Sequence, residues 1–190
     1  MPWSRYILGY HGCDAETAAK IVAGNDELRP SQNDSDWLGH GLYFWEDGYK
    51  RALRWATEQS QAGVTQTRIK IPAVLGAVID LGHCLDLIQV EYLDLVKDSH
   101  DQMLKLFKDI GKAPPRNAGK NMGSRKLDCA VFESLHKFRD DEKKPPFNTV
   151  RAFFTEGDEL YPSAGIRQLD HIQICVRDQA SITGYFLPRS

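Results

Sequence analysis

The stretch Gly39-His40-Gly41-Leu42-Tyr43-Phe44-Trp45-Glu46-Asp47 constrains this chain more than any other. Two glycines flank a histidine, and an apolar, aromatic run follows. Glycine permits backbone conformations closed to other residues and lets a ligand or another strand approach closely. Leu42 to Trp45 reads as a short buried strand bounded by turn signals. Asp47-Gly48 then offers a helix start with Asp47 as its N-cap. The apolar positions Ala52, Leu53, Trp55 and Ala56 give a helix from about Gly48 to Gln61 a packing stripe. A glycine turn, an aromatic strand and a helix start thus fall together, and a flat ligand suits such a surface.

The flanking chain alternates strands and helices before it becomes helical. Arg5 to Tyr10 reads as a strand ending at His11-Gly12, and Asp14 caps a helix over Ala15 to Ala23. Glu27 to Trp37 is a polar loop. Thr67 to Leu81 reads as two strands broken near Pro72. Tyr92, Leu95, Val96, Met103, Leu104, Phe107 and Ile110 recur at helical spacing, and a shorter helix follows from Leu127 to Phe138. The tail is β-rich, with strands over Thr149 to Thr155, His171 to Val176 and Ile182 to Leu187. This order predicts one α+β domain over residues 1–190, with residues 86–146 as a helical insertion.

Composition narrows the function classes. The 190 residues carry a formal net charge of -2, and 42% are hydrophobic. Nothing global calls for an anionic partner. No apolar run approaches the ~20 residues of a membrane helix, and the first residues lack a secretory pattern. A cytoplasmic protein without a membrane partner is expected. Cys13, Cys84, Cys129 and Cys175 are scattered, which predicts reduced core thiols and no metal site.

Three segments place unusual residues at strand ends: Tyr10-His11-Gly12, Gly41-Leu42-Tyr43-Phe44 and Asp170-His171-Ile172-Gln173. Taken in order, they resemble the ADP-ribosyltransferase superfamily of the poly(ADP-ribose) polymerase and diphtheria-toxin type. The match covers about residues 6 to 57 and 168 to 187. The resemblance implies a split antiparallel β-sheet with flanking helices and NAD as a substrate. It implies that His11 donates a hydrogen bond to a ribose hydroxyl and that the Gly12 backbone pairs with the nicotinamide carboxamide. Gly41 belongs to the same binding stretch, Tyr43 stacks on the nicotinamide, and Trp55 covers its other face. The family's third residue, most often Glu, lies on the last catalytic strand, where this chain has no glutamate. Gln173 matches by shape, His171 shares its face, and Glu156 is the alternative carboxylate.

Arg151 and Arg167 are further candidates for the NAD pyrophosphate. The segment Lys112 to Lys126 holds Lys112, Arg116, Lys120, Arg125 and Lys126 without an acid, a pattern suited to a phosphate backbone. Together these imply transfer of ADP-ribose to a macromolecule, RNA or DNA in preference to protein. A free-standing transferase of this size also resembles bacterial toxins of toxin–antitoxin or phage-defence systems, with an antitoxin as partner. A non-catalytic NAD or ADP-ribose reader and an NAD-dependent RNA 2′-phosphotransferase are the alternatives.

Overall fold

The computed structural model describes residues 4–62, 69–119 and 123–189. Seven strands form one sheet: β1 (Tyr6–Asp14), β2 (Leu42–Glu46), β3 (Pro72–Asp80), β4 (Cys84–Asp86), β5 (Thr149–Phe154), β6 (His171–Val176) and β7 (Ile182–Phe186). Four α-helices accompany them: α1 (Ala15–Val22), α2 (Tyr49–Gln61), α3 (Val90–Asp109) and α4 (Lys126–Asp141). The strand order is β4-β5-β6-β2-β1-β3-β7. Every pairing is antiparallel except β4 with β5. The α+β class expected from the element order is therefore observed. Among the described residues no helix is long and apolar enough to cross a membrane.

The aromatic stretch becomes the centre of the sheet. Strand β2 lies between β1 and β6, and alternation sends its side chains to opposite faces. Leu42 and Phe44 join Ile174, Val176, Leu75, Ile79 and the α1 residues Ala18 and Ile21 in one core cluster. On the other face Cys175, Val150 and Ala152 pack with the α4 residues Phe132 and Leu135, and Tyr43 lies against them. Trp45 packs there with Ala52 of α2 and Val74 of β3. The sheet is thus covered on both sides, which explains why its inner strands read as apolar runs.

Several local expectations need correction. Strand β1 does not stop at His11-Gly12 but continues to Asp14, paired along its whole length with β3. Asp14 caps α1 as expected, accepting from Glu16 N–H, and also accepts from the N–H groups of Lys70 and Ile71. Asp47 is not the α2 cap: it sits at φ 49° and Gly48 takes the cap position, with no side-chain cap bond. The strand expected before Pro72 falls partly on residues 63–68, outside the described residues. The helical insertion begins on a strand, β4, which pairs in parallel with β5. Parallel neighbours need a crossover connection, and α3 and α4 supply it.

Candidate active site

The central sheet opens between β1 and β2. The two strands pair only at Gly9 with Glu46 and Tyr10 with Trp45. Leu8 C=O accepts from Asp47 N–H at 3.0 Å. Backbone groups alternate direction along a strand, so Leu8, Tyr10 and Gly12 all turn N–H and C=O towards β2. In a continued ladder Gly12 would exchange two hydrogen bonds with Tyr43. Instead the His11 ring enters the gap, and its Nδ1 donates to Tyr43 C=O at 2.8 Å. The Gly12 N–H and C=O therefore have no ladder partner on β2.

The His11 tautomer follows from that bond. A carbonyl only accepts, so Nδ1 carries the hydrogen. Burial lowers the His11 pKa, opposed by the bond to Tyr43 C=O, so the ring is neutral. Its Nε2 then presents a lone pair. In this tautomer His11 Nε2 can accept a hydrogen bond and not donate one.

Each glycine of the site has a packing reason. A Cβ on Gly12 would lie 2.5 Å from Ala52 C=O and 3.0 Å from Trp55 Cε3. The missing side chain therefore admits α2, while the backbone edge faces the gap. Gly12→Ala must push α2 outward, and the expected cost is about 1–3 kcal/mol, read as a lowered thermal midpoint. A Cβ on Gly41 would meet Cys175 Sγ and Val176 C=O at 2.6 Å. Gly41 thus serves close approach to β6.

Tyr43 holds the preceding loop. Its hydroxyl donates to Gly39 C=O at 2.6 Å and accepts from Leu38 N–H at 3.0 Å. Its Cα is paired with Cys175, two residues along from the pairing of Trp45 with Gln173 and on the same face. The Gln173 side chain accepts from Trp37 Nε1–H. Indole N–H only donates, so the amide oxygen of Gln173 faces Trp37 and its NH2 group remains to donate. Trp55 lies 6.0 Å from Trp45, ring centre to ring centre, and Trp45 lies 6.0 Å from His171. His11 with Tyr43, Gly12 with Trp55, and Trp45 with Gln173 and His171 are thus brought together.

Arg151 is not part of this site. It is 6% exposed and lies on the sheet face of Phe44 and Ile174, with its charge already committed. Its Nε and Nη2 donate to both Glu46 oxygens at 2.6 and 2.9 Å, and its Nη1 to both Asp86 oxygens at 3.1 and 3.2 Å. A guanidinium so committed has no fork left for a pyrophosphate. Arg167 stays exposed, and its Nη1 donates to Gly157 C=O at 3.1 Å. Two cations of the basic segment are paired with acids outside it: Arg125 with Asp128 at 3.3 Å and Lys126 with Asp34 at 2.6 Å. Lys120 lies outside the described residues.

Two features escaped the sequence reading. Trp37 closes on Gln173, and Arg51 of α2 pairs with Glu156 at 2.8 Å. Helical spacing set Arg51 one turn before Trp55, which was the available signal for the second.

No family model matches the chain, and no solved structure matches it. It is 26% identical over 198 aligned residues to an uncharacterized protein of Methanocaldococcus jannaschii, spanning 96% of this chain and 86% of that protein. That relative's name assigns no activity.

Proposed function

We propose that the chain binds NAD at the β1–β2 gap and transfers its ADP-ribose to a macromolecular acceptor. The observation that carries this reading is the interrupted ladder at Gly12, held open by the His11 bond to Tyr43 C=O. One donor and one acceptor, side by side on a glycine, complement a carboxamide, whose oxygen accepts and whose NH2 donates. The aromatic rings of Tyr43 and Trp55 supply flat surfaces for the nicotinamide. His11 Nε2 accepts from a ribose hydroxyl, and the Gln173 amide donates to another.

In the reaction the bond between nicotinamide nitrogen and ribose C1 breaks, and the electron pair leaves with nicotinamide. An acceptor nucleophile then bonds C1 and loses its proton. The ribose passes through an oxocarbenium-like state, as in glycoside hydrolysis. Strand β6 brings no carboxylate to that charge, since Gln173 stands there as a neutral donor. A slow mono-transferring enzyme follows from this chemistry. The same neutrality favours the second reading, a binder of NAD that does not turn it over. For the acceptor, RNA or DNA remains the preferred class, on Arg125 and Arg167 beside the aromatic wall of Phe154.

The test is NAD carrying label in its adenylate half, incubated with the protein and a cell extract, with nicotinamide release followed in parallel. Label on nucleic acid or protein is expected, with His11→Ala lowering turnover more than tenfold and NAD affinity only a few-fold. Saturable NAD binding without nicotinamide release selects the binder. Absence of binding rejects both.

A further inference from the structure

Four polar atoms are buried together on the face that carries Gln173, without a partner among the described residues. They are Trp45 Nε1, Arg51 Nε and Nη1, and His171 Nε2. The Arg51 guanidinium carbon sits 5.2 Å from the Trp45 ring centre. His171 Nδ1 donates to Leu169 C=O at 2.6 Å, and burial keeps the ring neutral, so its Nε2 is an acceptor. The group therefore offers three N–H donor atoms, two of them on a cation, and one lone pair. Buried polar groups are ordinarily satisfied, and leaving these unpaired costs their desolvation.

One residue already touches this group from outside. Glu156 Oε2 holds Arg51 Nη2 at 2.8 Å and lies 3.9 Å from His171 Nδ1. Its backbone is fixed, with N–H donating to Asp170 and C=O accepting from Leu169 N–H. Its side chain is 39% exposed, against 12% for Arg51. It forms part of the wall of a cavity of about 680 Å³, together with Trp37, Arg125, Phe154 and Arg167. Trp37 and Phe154 lie 4.2 Å apart, ring centre to ring centre.

We propose that Arg51, Trp45 and His171 form the floor of a ribose-phosphate pocket, and that Glu156 occupies it in the free protein as a stand-in carboxylate. A phosphate entering from the cavity displaces the Glu156 side chain, takes the Arg51 and Trp45 donors, and an adjacent ribose hydroxyl donates to His171 Nε2. Displacement needs only rotation of the Glu156 side chain about its fixed backbone. The aromatic pair and the two cavity arginines suit the remainder of a nucleotide. The pocket rests on the NAD reading only for the choice of a nucleotide as the ligand's parent.

The experiment is a titration of the full chain with ribose 5-phosphate, with ADP-ribose and with a short single-stranded RNA, followed by Trp fluorescence and calorimetry. Ribose 5-phosphate is expected to bind in the millimolar range or better. Glu156→Gln should tighten it about fivefold or more by removing the competing charge. Arg51→Gln should weaken it at least tenfold, and Trp45→Phe, which keeps the ring body but removes the N–H, a few-fold. Stronger binding of ADP-ribose than of RNA assigns the pocket to the dinucleotide, and the reverse order to the acceptor. Weaker or unchanged binding in Glu156→Gln overturns the displacement. Absence of ribose 5-phosphate binding overturns the pocket and leaves ordered water as its occupant. NAD turnover is measured in the same preparations. Turnover unaffected in Arg51→Gln, with no phosphate binding, removes this pocket and keeps the NAD reading; phosphate binding without NAD binding does the opposite.

Discussion

Replacing Arg151 with methionine is expected to cost about 3–5 kcal/mol of stability, the scale for breaking a buried ion pair from one side. The variant keeps a long apolar stem but strands two carboxylates. Asp86 is 3% exposed, and Glu46 faces the same side of the sheet. Asp86 retains Arg5 at 3.0 Å, whereas Glu46 loses both fork bonds to Arg151. For a chain of this length the loss corresponds to a thermal midpoint lower by roughly 10 °C. Lysine at this position is expected to rescue little, because one ammonium cannot hold two carboxylates bidentately. Adding Glu46→Gln to Arg151→Met should recover part of the loss, since the stranded charge is then gone. A variant that instead keeps its midpoint and loses NAD affinity would return Arg151 to the ligand.

The second large effect is acid sensitivity between pH 6.5 and 5. Burial lowers the pKa of His11 and His171, and holds His136 down at about 3. Near pH 6.5 and below, the unfolded chain takes up protons that the folded chain refuses. Stability contributed by the neutral rings is therefore present above pH 6.5 and is lost as pH falls. For His136 the loss continues until about pH 3, where the folded ring protonates as well. His136 contributes a slope of up to about 1.4 kcal/mol per pH unit, hence about 2 kcal/mol between pH 6.5 and 5, and His11 and His171 act in the same direction. Urea midpoints at pH 7, 6, 5 and 4 should fall progressively. His136→Phe should flatten the curve by one proton's share, because its Nε2 has no partner among the described residues. A midpoint that stays level from pH 7 to 5 would show that these rings protonate within the fold.

The residues that meet at the β1–β2 gap stood out in sequence because a histidine, glycines and aromatics cluster there, although His11-Gly12 lies within β1 and not at its end. Tyr43 read as part of a buried strand, and it is one. Its hydroxyl bonds to Leu38 and Gly39 were not legible, since they depend on a loop whose path no periodicity sets. Strand β4 was missed because three residues carry no alternation that a pattern can register. The ion-pair role of Arg151 does have a signal in the sequence. An arginine in the apolar run Thr149 to Phe154 needs a buried anion; Glu46 ends one apolar segment and Asp86 sits within another. Opposite charges within apolar strands point inward to one another before they point to a ligand.

Strand β2 has neighbours of very different age. Its partner β1 precedes it closely in the chain, whereas Tyr43 pairs with Cys175, about 130 residues later. At 5–20 residues per second the ribosome needs roughly 6–26 s to deliver that second neighbour. Until then the Leu42–Trp45 run has one sheet edge unpaired, apolar on both faces and uninterrupted by charge. Such an edge invites another chain. The segment that organises the finished sheet is thus the one that a nascent-chain chaperone has most reason to hold.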